Sequence, residues 1–421
     1  MDFLQELEWR GMIHNKIDGV EEYLSTPGQR GYIGFDPTAK SLTIGNLVQI
    51  MILSFFKMSG HQPIVLMGGA TGRIGDPSGK DKERQLLDYQ ELDKNLAAQT
   101  EQVKKLLSFD EGPEPVFVNN YDFYKDMNVL EYLRDLGKTL TVNYMMSKDS
   151  VKNRLEVGLS YTEFSYQVLQ GYDFLKLYRS FDCALQMGGS DQWGNITTGT
   201  EFIRRSEEGA KVYAVTTPLL TKSDGSKFGK SEGDNIWLDP EMTSPYEFYQ
   251  FWINADDADL SKLFRYFSLL SKDEIETLER ETSNPNNLKR MLAEEMTTRV
   301  HSSTACERAK RVSELIFGRK TSHEEVMSFD HDTIDQVARV IPSFELPSEL
   351  IGKETIALLA ENTDIFSSKS EVQRSIKGNA LAVNKEKVVN MDHVIESGDI
   401  IAGSFVFIEN GKKNKYILKF I

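Results

Sequence analysis

The sequence holds little cysteine and no long apolar run. Its two cysteines, Cys183 and Cys306, are far apart among 421 residues, which excludes a disulfide framework and a cysteine-ligated metal site and indicates a reducing compartment. No apolar run reaches the length of a membrane span. The first residues, Met1–Glu8, are acidic and amphipathic, unlike a signal peptide. We therefore expect a cytoplasmic protein without a membrane partner.

Positive charge is also scarce. Lysine and arginine number 49 against 64 acidic residues, a formal net charge of −15, which excludes a chain that coats nucleic acid over its whole surface. The charge is distributed unevenly along the chain. Residues 369–421 contain nine basic and six acidic residues, whereas residues 1–368 contain 40 basic and 58 acidic residues. A basic tail on an acidic body indicates an anionic partner at that end. The length predicts about two to three domains.

The stretch from Arg30 to Met67 has the pattern of a parallel βαβ unit. The apolar run Tyr32–Phe35 predicts a buried strand, a helix begins near Gly45, and Pro63–Met67 predicts a second strand. The N-terminus of such a helix can receive phosphate. Many nucleotide-binding and metabolic domains contain this unit, and a glycine needed only for tight packing explains the pattern at least as well.

Two later motifs narrow the interpretation. They are Lys227-Phe-Gly-Lys-Ser231 and Gly188-Gly-Ser-Asp-Gln-Trp-Gly-Asn195. The first, together with Thr43-Ile-Gly-Asn46, resembles the two signatures of class I aminoacyl-tRNA synthetases, usually written KMSKS and HIGH. The second is similar to a run found in tyrosyl-tRNA synthetases of bacterial type. The resemblance to this family extends over essentially all 421 residues.

Predicted strands alternate with amphipathic helices from Arg30 to about Leu220, which indicates an α/β fold with a Rossmann-like, doubly wound parallel sheet. We expect this catalytic domain to span residues 1–221. It is expected to contain a mostly helical insertion at about 101–160, where the family resembled has its dimer interface. The sequence alone fits a helix packed on its own sheet equally well. Residues 222–320 are expected to form the lysine-signature loop and an α-helical tRNA-binding domain, and residues 321–350 a linker.

The last segment, residues 351–421, contains a helix start at Ser368, a break at Gly378-Asn379 and a continuation as Ala380–Val383. It resembles the small α+β RNA-binding module first known from a small-subunit ribosomal protein. The resemblance implies that phosphate contacts to RNA come from Lys369, Arg374 and Lys377.

A polar trio stands on an otherwise apolar predicted helix. Tyr166, Gln170 and Asp173 are spaced i, i+4 and i+7, so the helix presents them on one face. Polar groups there are costly unless each finds a partner, although the spacing alone fits a solvated helix face equally well. The resemblance implies that Tyr32 and Asp173 bind the phenolic hydroxyl of tyrosine. For the α-ammonium group it implies three residues, Asp76, Tyr166 and Gln170. It places Gln192 beside the carboxylate.

The resemblance also implies the ATP site and its cations. The residues implied to bind ATP are Gly34, Asp36, Gly45, Gly189, Asp191 and Lys230. Those implied to act on the phosphates in catalysis are Thr43, Asn46, Lys80, Arg84, Lys227, Lys230 and Ser231. Taken without the resemblance, the two lysine-rich stretches fit charged segments exposed to solvent. If both lie against the triphosphate of ATP, they neutralise its charge.

The implied reaction converts tyrosine and ATP to tyrosyl-adenylate and pyrophosphate, and then passes the tyrosyl group to the terminal adenosine of tRNA(Tyr). The attacking carboxylate is already ionised at neutral pH, so catalysis consists of positioning and charge stabilisation. We expect ATP as a substrate, Mg²⁺ accompanying it, no tightly bound metal, and a homodimer.

The first signature departs from the family pattern, because Thr43 and Asn46 replace both histidines. A hydroxyl and an amide can still donate hydrogen bonds to phosphate oxygens, but any pH dependence from imidazoles is in doubt. Thr-Ile-Gly-Asn is common among tryptophanyl-tRNA synthetases, which are the main alternative. The Tyr32–Asp173 pair, the run from Gly188, the length and the C-terminal module favour tyrosine.

Two alternatives from other classes remain. A synthetase-like RNA-binding protein without catalytic activity should have lost its signature lysines, and Lys227 and Lys230 are both intact. An NAD-dependent dehydrogenase needs a glycine fingerprint after the first strand, which this chain lacks.

Overall fold

The computed structural model describes residues 1–78, 87–148, 151–152, 158–226, 228–231, 234–282, 284–318 and 320–421, with only the backbone of Lys230 and Ser231. The chain divides into two compact units. The first comprises residues 1–244 and 251–300, and the second comprises residues 245–250 and 301–421. Within the described ranges, no helix is both long enough and apolar enough to cross a membrane.

The first unit is built on a sheet that has six strands among the described residues. In chain order they are β1 (Asn15–Lys16), β2 (Arg30–Phe35), β3 (Gln62–Met67), β4 (Val116–Asn119), β5 (Leu185–Gly189) and β6 (Tyr213–Thr217). They lie in the order β1-β6-β5-β2-β3-β4, all parallel except β1, which is antiparallel to β6. From the central β2 the chain passes through β3 to β4 at one edge, returns to β5 on the other side of β2, and continues to β6. This is the doubly wound arrangement that the sequence predicts.

The helices formed by the described residues are, in chain order, α1 (Phe3–Arg10), α2 (Val20–Leu24), α3 (Ile44–Met58), α4 (Tyr89–Ser108), α5 (Val129–Glu131), α6 (Val142–Met146), α7 (Tyr161–Phe181), α8 (Trp193–Ser206), α9 (Pro245–Ile253), α10 (Leu260–Phe267), α11 (Lys272–Glu281), α12 (Pro285–Val300), α13 (Ser303–Phe317), α14 (His323–Met327), α15 (His331–Val340), α16 (Thr355–Glu361) and α17 (Lys369–Lys377). A π-helical turn, Tyr132–Leu136, continues α5. A two-stranded ribbon pairs β7 (Lys230–Ser231) with β8 (Asp234–Asn235).

Helix α3 shows how the sequence builds the first βα turn. Thr43 is its N-cap residue in extended backbone conformation (φ −97°, ψ 167°), and the 15 residues of the helix are mostly apolar. A helix that is apolar nearly all round is stable only when it is buried on nearly every side. Leu47, Ile50 and Phe55 are fully buried. Burial therefore extends around most of the helix.

The second unit contains a separate sheet. Its strands are β9 (Ser343–Leu346), β10 (Leu381–Val383), β11 (Glu386–Lys387), β12 (Phe405–Asn410) and β13 (Asn414–Phe420). They lie in the order β11-β10-β12-β13-β9, with antiparallel neighbours except for the parallel pair of β13 and β9. Apolar residues of α16 and α17 share one buried cluster with this sheet. Helix α17 begins where predicted, because the Ser368 side chain accepts a hydrogen bond from the Glu371 amide.

Two expectations about chain segments need correction. Residues 321–350 are predicted to be a linker, but they contain α14, α15 and β9. Strand β9 is stabilised by pairing with β13, a contact between distant parts of the sequence that local patterns do not reveal. The segment 101–160, predicted to be mostly helical, begins with the end of α4 and with β4, the edge strand of the main sheet.

Candidate active site

A cavity of about 320 Å³ opens at the carboxyl ends of β2 and β5. These neighbouring strands flank the point where the strand order reverses, which is where doubly wound sheets bind ligands. Most of the predicted site residues that the structure describes line this cavity. They are Tyr32, Gly34, Asp36, Gly45, Asn46, Asp76, Tyr166, Gln170, Asp173, Gly189, Asp191 and Gln192.

Helix α7 presents the predicted polar trio to this cavity. The helix begins at Ser160, whose side chain accepts a hydrogen bond from the Glu163 amide. Tyr166, Gln170 and Asp173 all line the cavity, so the trio faces a pocket and not bulk solvent. Asp173 is only 1% exposed, and a carboxylate this deeply buried needs hydrogen-bond donors.

Asp173 receives its donors from the turn that follows β4. The Tyr124 hydroxyl lies 2.7 Å from Asp173 Oδ1, and the Asn120 side-chain amide donates to Asp173 Oδ2 at 2.9 Å. Burial raises the pKa of Asp173 to about 7, although both hydrogen bonds act in the opposite direction. The neighbouring Asp36 carboxylate adds to the rise in pKa. The group therefore changes charge near neutral pH.

Tyr32 lies beside this carboxyl group on the central strand β2. It is 1% exposed, and its ring centroid lies 5.3 Å from that of Phe174. Its hydroxyl is buried and has no hydrogen-bond partner within the part of the chain that the structure describes. An unpaired buried hydroxyl is costly. A ligand that reaches the cavity floor would supply the missing partner.

Further carboxylates surround the middle of the cavity. Asp36 accepts hydrogen bonds from the hydroxyls of Tyr166 at 2.8 Å and Thr71 at 2.7 Å. Asp76 accepts one from the Gln192 side-chain amide at 2.7 Å. Tyr166 is thus bonded to Asp36, whereas the resemblance groups it with Asp76. Several acidic side chains converging on one small cavity favour a ligand with a positively charged group.

The first signature forms a local hydrogen-bonded pair at the start of α3. The Asn46 side-chain oxygen accepts bonds from the Thr43 amide at 3.0 Å and from the Thr43 hydroxyl at 2.8 Å. Asn46 lines the cavity, whereas Thr43 does not. The hydroxyl that is expected to reach a phosphate instead donates to Asn46. The exposed N-terminus of a helix remains a favourable site for anionic groups.

The glycines of this region leave space on the cavity side. A Cβ atom at Gly34 would meet only Leu66 O at 3.9 Å, and one at Gly45 only Thr43 Oγ1 at 3.5 Å. Tight packing within the protein therefore does not explain these two glycines. Gly68 is different, because a Cβ atom there would collide with Asp36 Oδ1.

Several predicted cations cannot be placed in this cavity. Lys80, Arg84 and Lys227 lie outside the described residues. The backbone of Lys230 and Ser231 forms β7, while their side chains lie outside the description. Among the described residues, no group of three or more His, Cys, Asp or Glu is arranged to hold a metal ion.

The predicted RNA contacts lie in the second unit, on α17. Lys369 forms an ion pair with Glu361 at 2.7 Å. Arg374 and Lys377 are exposed in the last turn of the helix, whereas Val372 and Ile376 on its other face are buried. The three basic residues thus share one solvent-facing helix.

The residues that hold Asp173 in place, Asn120 and Tyr124, and the Thr71 bonded to Asn120 are absent from the sequence predictions. Asn120 bridges Thr71 and Asp173, and Tyr124 completes the donors to Asp173. Asn120 directly follows β4 and Thr71 follows β3, so both stand near the carboxyl ends of parallel strands. That position could have identified them. Tyr124 has no such signal.

Two family models match this chain. Residues 27–318 match the class I tRNA synthetases for tryptophan and tyrosine, described as "tRNA synthetases class I (W and Y)". Residues 333–418 match the "Tyrosine--tRNA ligase SYY-like C-terminal domain".

Individual relatives match over most of their length. A tyrosine–tRNA ligase of Cytophaga hutchinsonii is 48% identical over 427 residues, which cover 100% of this chain and 99% of the relative. One of Porphyromonas gingivalis is 48% identical over 429 residues, 99% of each. The structure of a C-terminally truncated mitochondrial tyrosyl-tRNA synthetase of Aspergillus nidulans superposes with a TM-score of 0.67 at 29% identity. It covers 75% of this chain and 94% of that protein.

Proposed function

This chain belongs to the tyrosine–tRNA ligases among the class I tRNA synthetases, and on that premise we propose that the cavity activates L-tyrosine with ATP and passes the tyrosyl group to tRNA(Tyr). The observation that carries the proposal is the pair of Tyr32 and Asp173 on the cavity floor. There, a buried hydroxyl that has no partner among the described residues lies beside a buried carboxyl group held by two donors.

The floor suits a phenolic hydroxyl. The substrate hydroxyl would donate to Asp173 and accept from Tyr32, which satisfies its proton and one of its lone pairs. Phenylalanine would leave both protein groups buried and unpaired, and each such loss is unfavourable. The same chemistry separates tyrosine from tryptophan, whose indole can donate a hydrogen bond but cannot accept one.

The acidic middle of the cavity suits the α-ammonium group. Asp76 is a proposed partner, with Gln170 beside it, as the resemblance implies. The Tyr166–Asp36 hydrogen bond supports a position for Tyr166 and Asp36 next to the same ammonium group. An ammonium group among carboxylates gains charge-assisted hydrogen bonds. Gln192, which donates to Asp76, then lies next to the substrate carboxylate.

In the proposed first step, a tyrosine carboxylate oxygen attacks the α-phosphorus of ATP. The bond from that phosphorus to the bridging oxygen breaks, and pyrophosphate leaves with the electron pair. No proton is transferred, because the carboxylate is already ionised. Gly34, Gly45, Gly189 and Asp191 would border the nucleoside. The cations on the phosphates would be Lys80, Arg84, Lys227 and Lys230, and Mg²⁺ would enter with ATP as part of the substrate.

In the second step, a ribose hydroxyl of the terminal adenosine of tRNA attacks the acyl carbon. The mixed anhydride bond breaks, AMP leaves with the electron pair, and the hydroxyl proton passes to the leaving phosphate group. The exposed basic residues of α17 would hold the tRNA through its phosphates. Replacing Lys369, Arg374 and Lys377 together by alanine should weaken tRNA binding. It should also reduce the slope of log affinity against log salt by about two to three, and unchanged binding would remove α17 from the RNA contacts.

The test of the main proposal is amino-acid-dependent exchange of pyrophosphate into ATP, with tyrosine, tryptophan and phenylalanine supplied separately. Exchange with tyrosine alone is expected, and it would show that Thr43 and Asn46 suffice in the first signature. Exchange with tryptophan would overturn the substrate. No exchange with any of the three would favour an RNA-binding protein without catalytic activity.

We also propose that the chain forms a homodimer through the helical segment after β4. Val129, Leu130 and Val142 there are 67%, 73% and 58% exposed, which is unusual for apolar residues so close together. Leu130→Glu should shift the protein from dimer to monomer in analytical ultracentrifugation. Val389→Glu, at an equally exposed apolar residue of the second unit, is the matched control. A monomeric wild type would refute the proposal, and a cytoplasmic location stays a prediction from the sequence.

A further inference from the structure

The lysine signature contains two residues, Phe228 and Gly229, that lie between its two lysines in the sequence. The side chain of Phe228 packs into an aromatic cluster that we call the ring cluster, formed by Phe251 and Trp252 of α9 and Phe267 of α10. The Phe228 ring centroid lies 5.2, 6.0 and 5.6 Å from these three rings, in that order. Trp252 and Phe267 are fully buried, so the cluster is part of the core and not a surface contact.

Gly229 makes a second contact, with the first signature. Its φ is +87°, and a Cβ atom built on it would lie 2.7 Å from Ile44 Cγ2 and 3.5 Å from the Gly45 amide nitrogen. Ile44 and Gly45 are the first two residues of α3. Gly229 therefore packs directly against the start of α3, which faces the proposed phosphates, at a position where only glycine fits.

Backbone hydrogen bonds reinforce this contact. The Ile236 amide donates to Gly229 O at 3.0 Å, and the Ile44 amide donates to Ile236 O at 2.9 Å. The segment before the signature is also held, because the Ser223 amide donates to the buried Asp259 at 3.2 Å and Lys262 Nζ donates to Thr221 O at 3.1 Å. Gly229 and the segment before the signature are thus held on two sides, by α3 and by the residues around α10.

We propose that Phe228 and Gly229 are positioning residues that anchor the backbone of the lysine signature between the ring cluster and the start of α3, and that this anchoring determines how its lysines meet the ATP phosphates as charge develops. The inference rests on the proposed function and deepens it. Neither residue would touch ATP itself. Displacing a cation by about 1 Å is enough to lower a rate strongly when catalysis depends on positioning.

Gly229→Ala is the sharpest test. The added methyl group would strain a left-handed backbone and push against Ile44. We expect kcat for tyrosine-dependent pyrophosphate exchange to fall at least about tenfold and KM for ATP to rise, while the Kd for tyrosine stays within about twofold. Gly225→Ala is the matched control, because Gly225 has φ +82° in the same loop with no atom within 4 Å of its Cβ position. Its effect should stay below about threefold.

Two substitutions test the role of the Phe228 ring. Phe228→Ala should lower kcat with tyrosine affinity retained, and Phe228→Tyr, which keeps the ring, should restore most of the rate. In amide hydrogen exchange, Gly229→Ala should lose protection at Ile236 and Ile44, whereas Gly225→Ala should not. Loss of the hydrogen-bonded contact can thus be seen without any measurement of activity.

The outcomes separate the two proposals. A wild type with no tyrosine-dependent exchange would overturn the proposed function and this inference with it. A wild type with normal exchange, together with a Gly229→Ala variant that keeps its rate and its amide protection, would overturn the inference alone. A loss of tyrosine affinity in Gly229→Ala, or equal losses of rate in Gly229→Ala and Gly225→Ala, would also overturn it.

Discussion

The two ends of the cavity are built in opposite ways. At the end proposed for the tyrosine side chain, Asp173 is buried and already held by Asn120 and Tyr124. At the end proposed for ATP, the chain offers the start of α3 and two glycines, Gly34 and Gly45, at which a Cβ atom would meet no atom closer than 3.5 Å. Polar groups fixed in advance select by the cost of leaving them unpaired, whereas open backbone accommodates a phosphate chain whose charge is met by cations. We infer that selectivity and rate reside at separate ends.

The largest effect should come from the phosphate end. Lys230→Ala should slow adenylate formation by about a hundredfold to a thousandfold, because a cation that stabilises transition-state charge is lost. Tyrosine affinity should hardly change. Rapid-quench measurement of adenylate formation and equilibrium dialysis with tyrosine check both parts, with Lys211→Ala as the control for loss of one positive charge. A loss of tyrosine affinity would instead assign Lys230 to the amino-acid end.

The next effect should come from the amino-acid end. Asp173→Ala should reduce the preference for tyrosine over phenylalanine by about a hundredfold, because hydrogen bonds to charged groups contribute about 1.5–3 kcal/mol. Pyrophosphate exchange with each amino acid measures the ratio of kcat/KM. The exposed Asp122, in the same turn as Asn120, gives the control variant Asp122→Ala. Unchanged selectivity would exclude Asp173 from the pocket.

The pH dependence of amino-acid binding should distinguish the two ends of the cavity further. Since burial raises the pKa of Asp173 to about 7, its ionised, accepting form is lost as the pH falls through neutrality. Tyrosine affinity should therefore drop about tenfold from pH 8 to pH 6. Phenylalanine affinity should not follow this drop, because its ring gains nothing from a charged carboxylate. Equilibrium dialysis measures both, with Asp173→Asn as the variant that cannot titrate. A pH-independent tyrosine affinity would contradict the prediction.

The smallest effect concerns the donors to this carboxyl group. Asn120→Ala removes a hydrogen bond that lowers the pKa of Asp173. The pH midpoint of tyrosine binding should therefore move upward, with an affinity loss of a few-fold at pH 7. Replacing the nearby exposed Asn128 by alanine should leave the midpoint in place. A midpoint that stays or moves downward in Asn120→Ala would show that Asn120 does not act on Asp173.

Local patterns predicted the parts of the fold that are defined by local forces. The apolar runs of β2 and β3 and the N-cap of α17 lie where the sequence indicates. Most of the described residues that the family motifs imply for tyrosine and ATP line one cavity, where Asp173 and Tyr32 come together from distant parts of the chain. The position of Asn120 after β4 marks it as a candidate, but its contact with Asp173, and that of Tyr124, join residues about 50 positions apart. Such pairings depend on the finished sheet and not on any local period.

The pairing of β9 with β13 has a consequence for how the second unit can be divided. Strand β9 lies in the stretch expected to be a linker, yet it hydrogen-bonds the last strand of the chain. A C-terminal fragment that begins after Leu346 would lack β9 and leave β13 as an unprotected sheet edge, open to pairing with another molecule. An independently expressed C-terminal module should therefore start before Ser343. A fragment that starts at residue 351 should aggregate where the longer fragment stays monomeric.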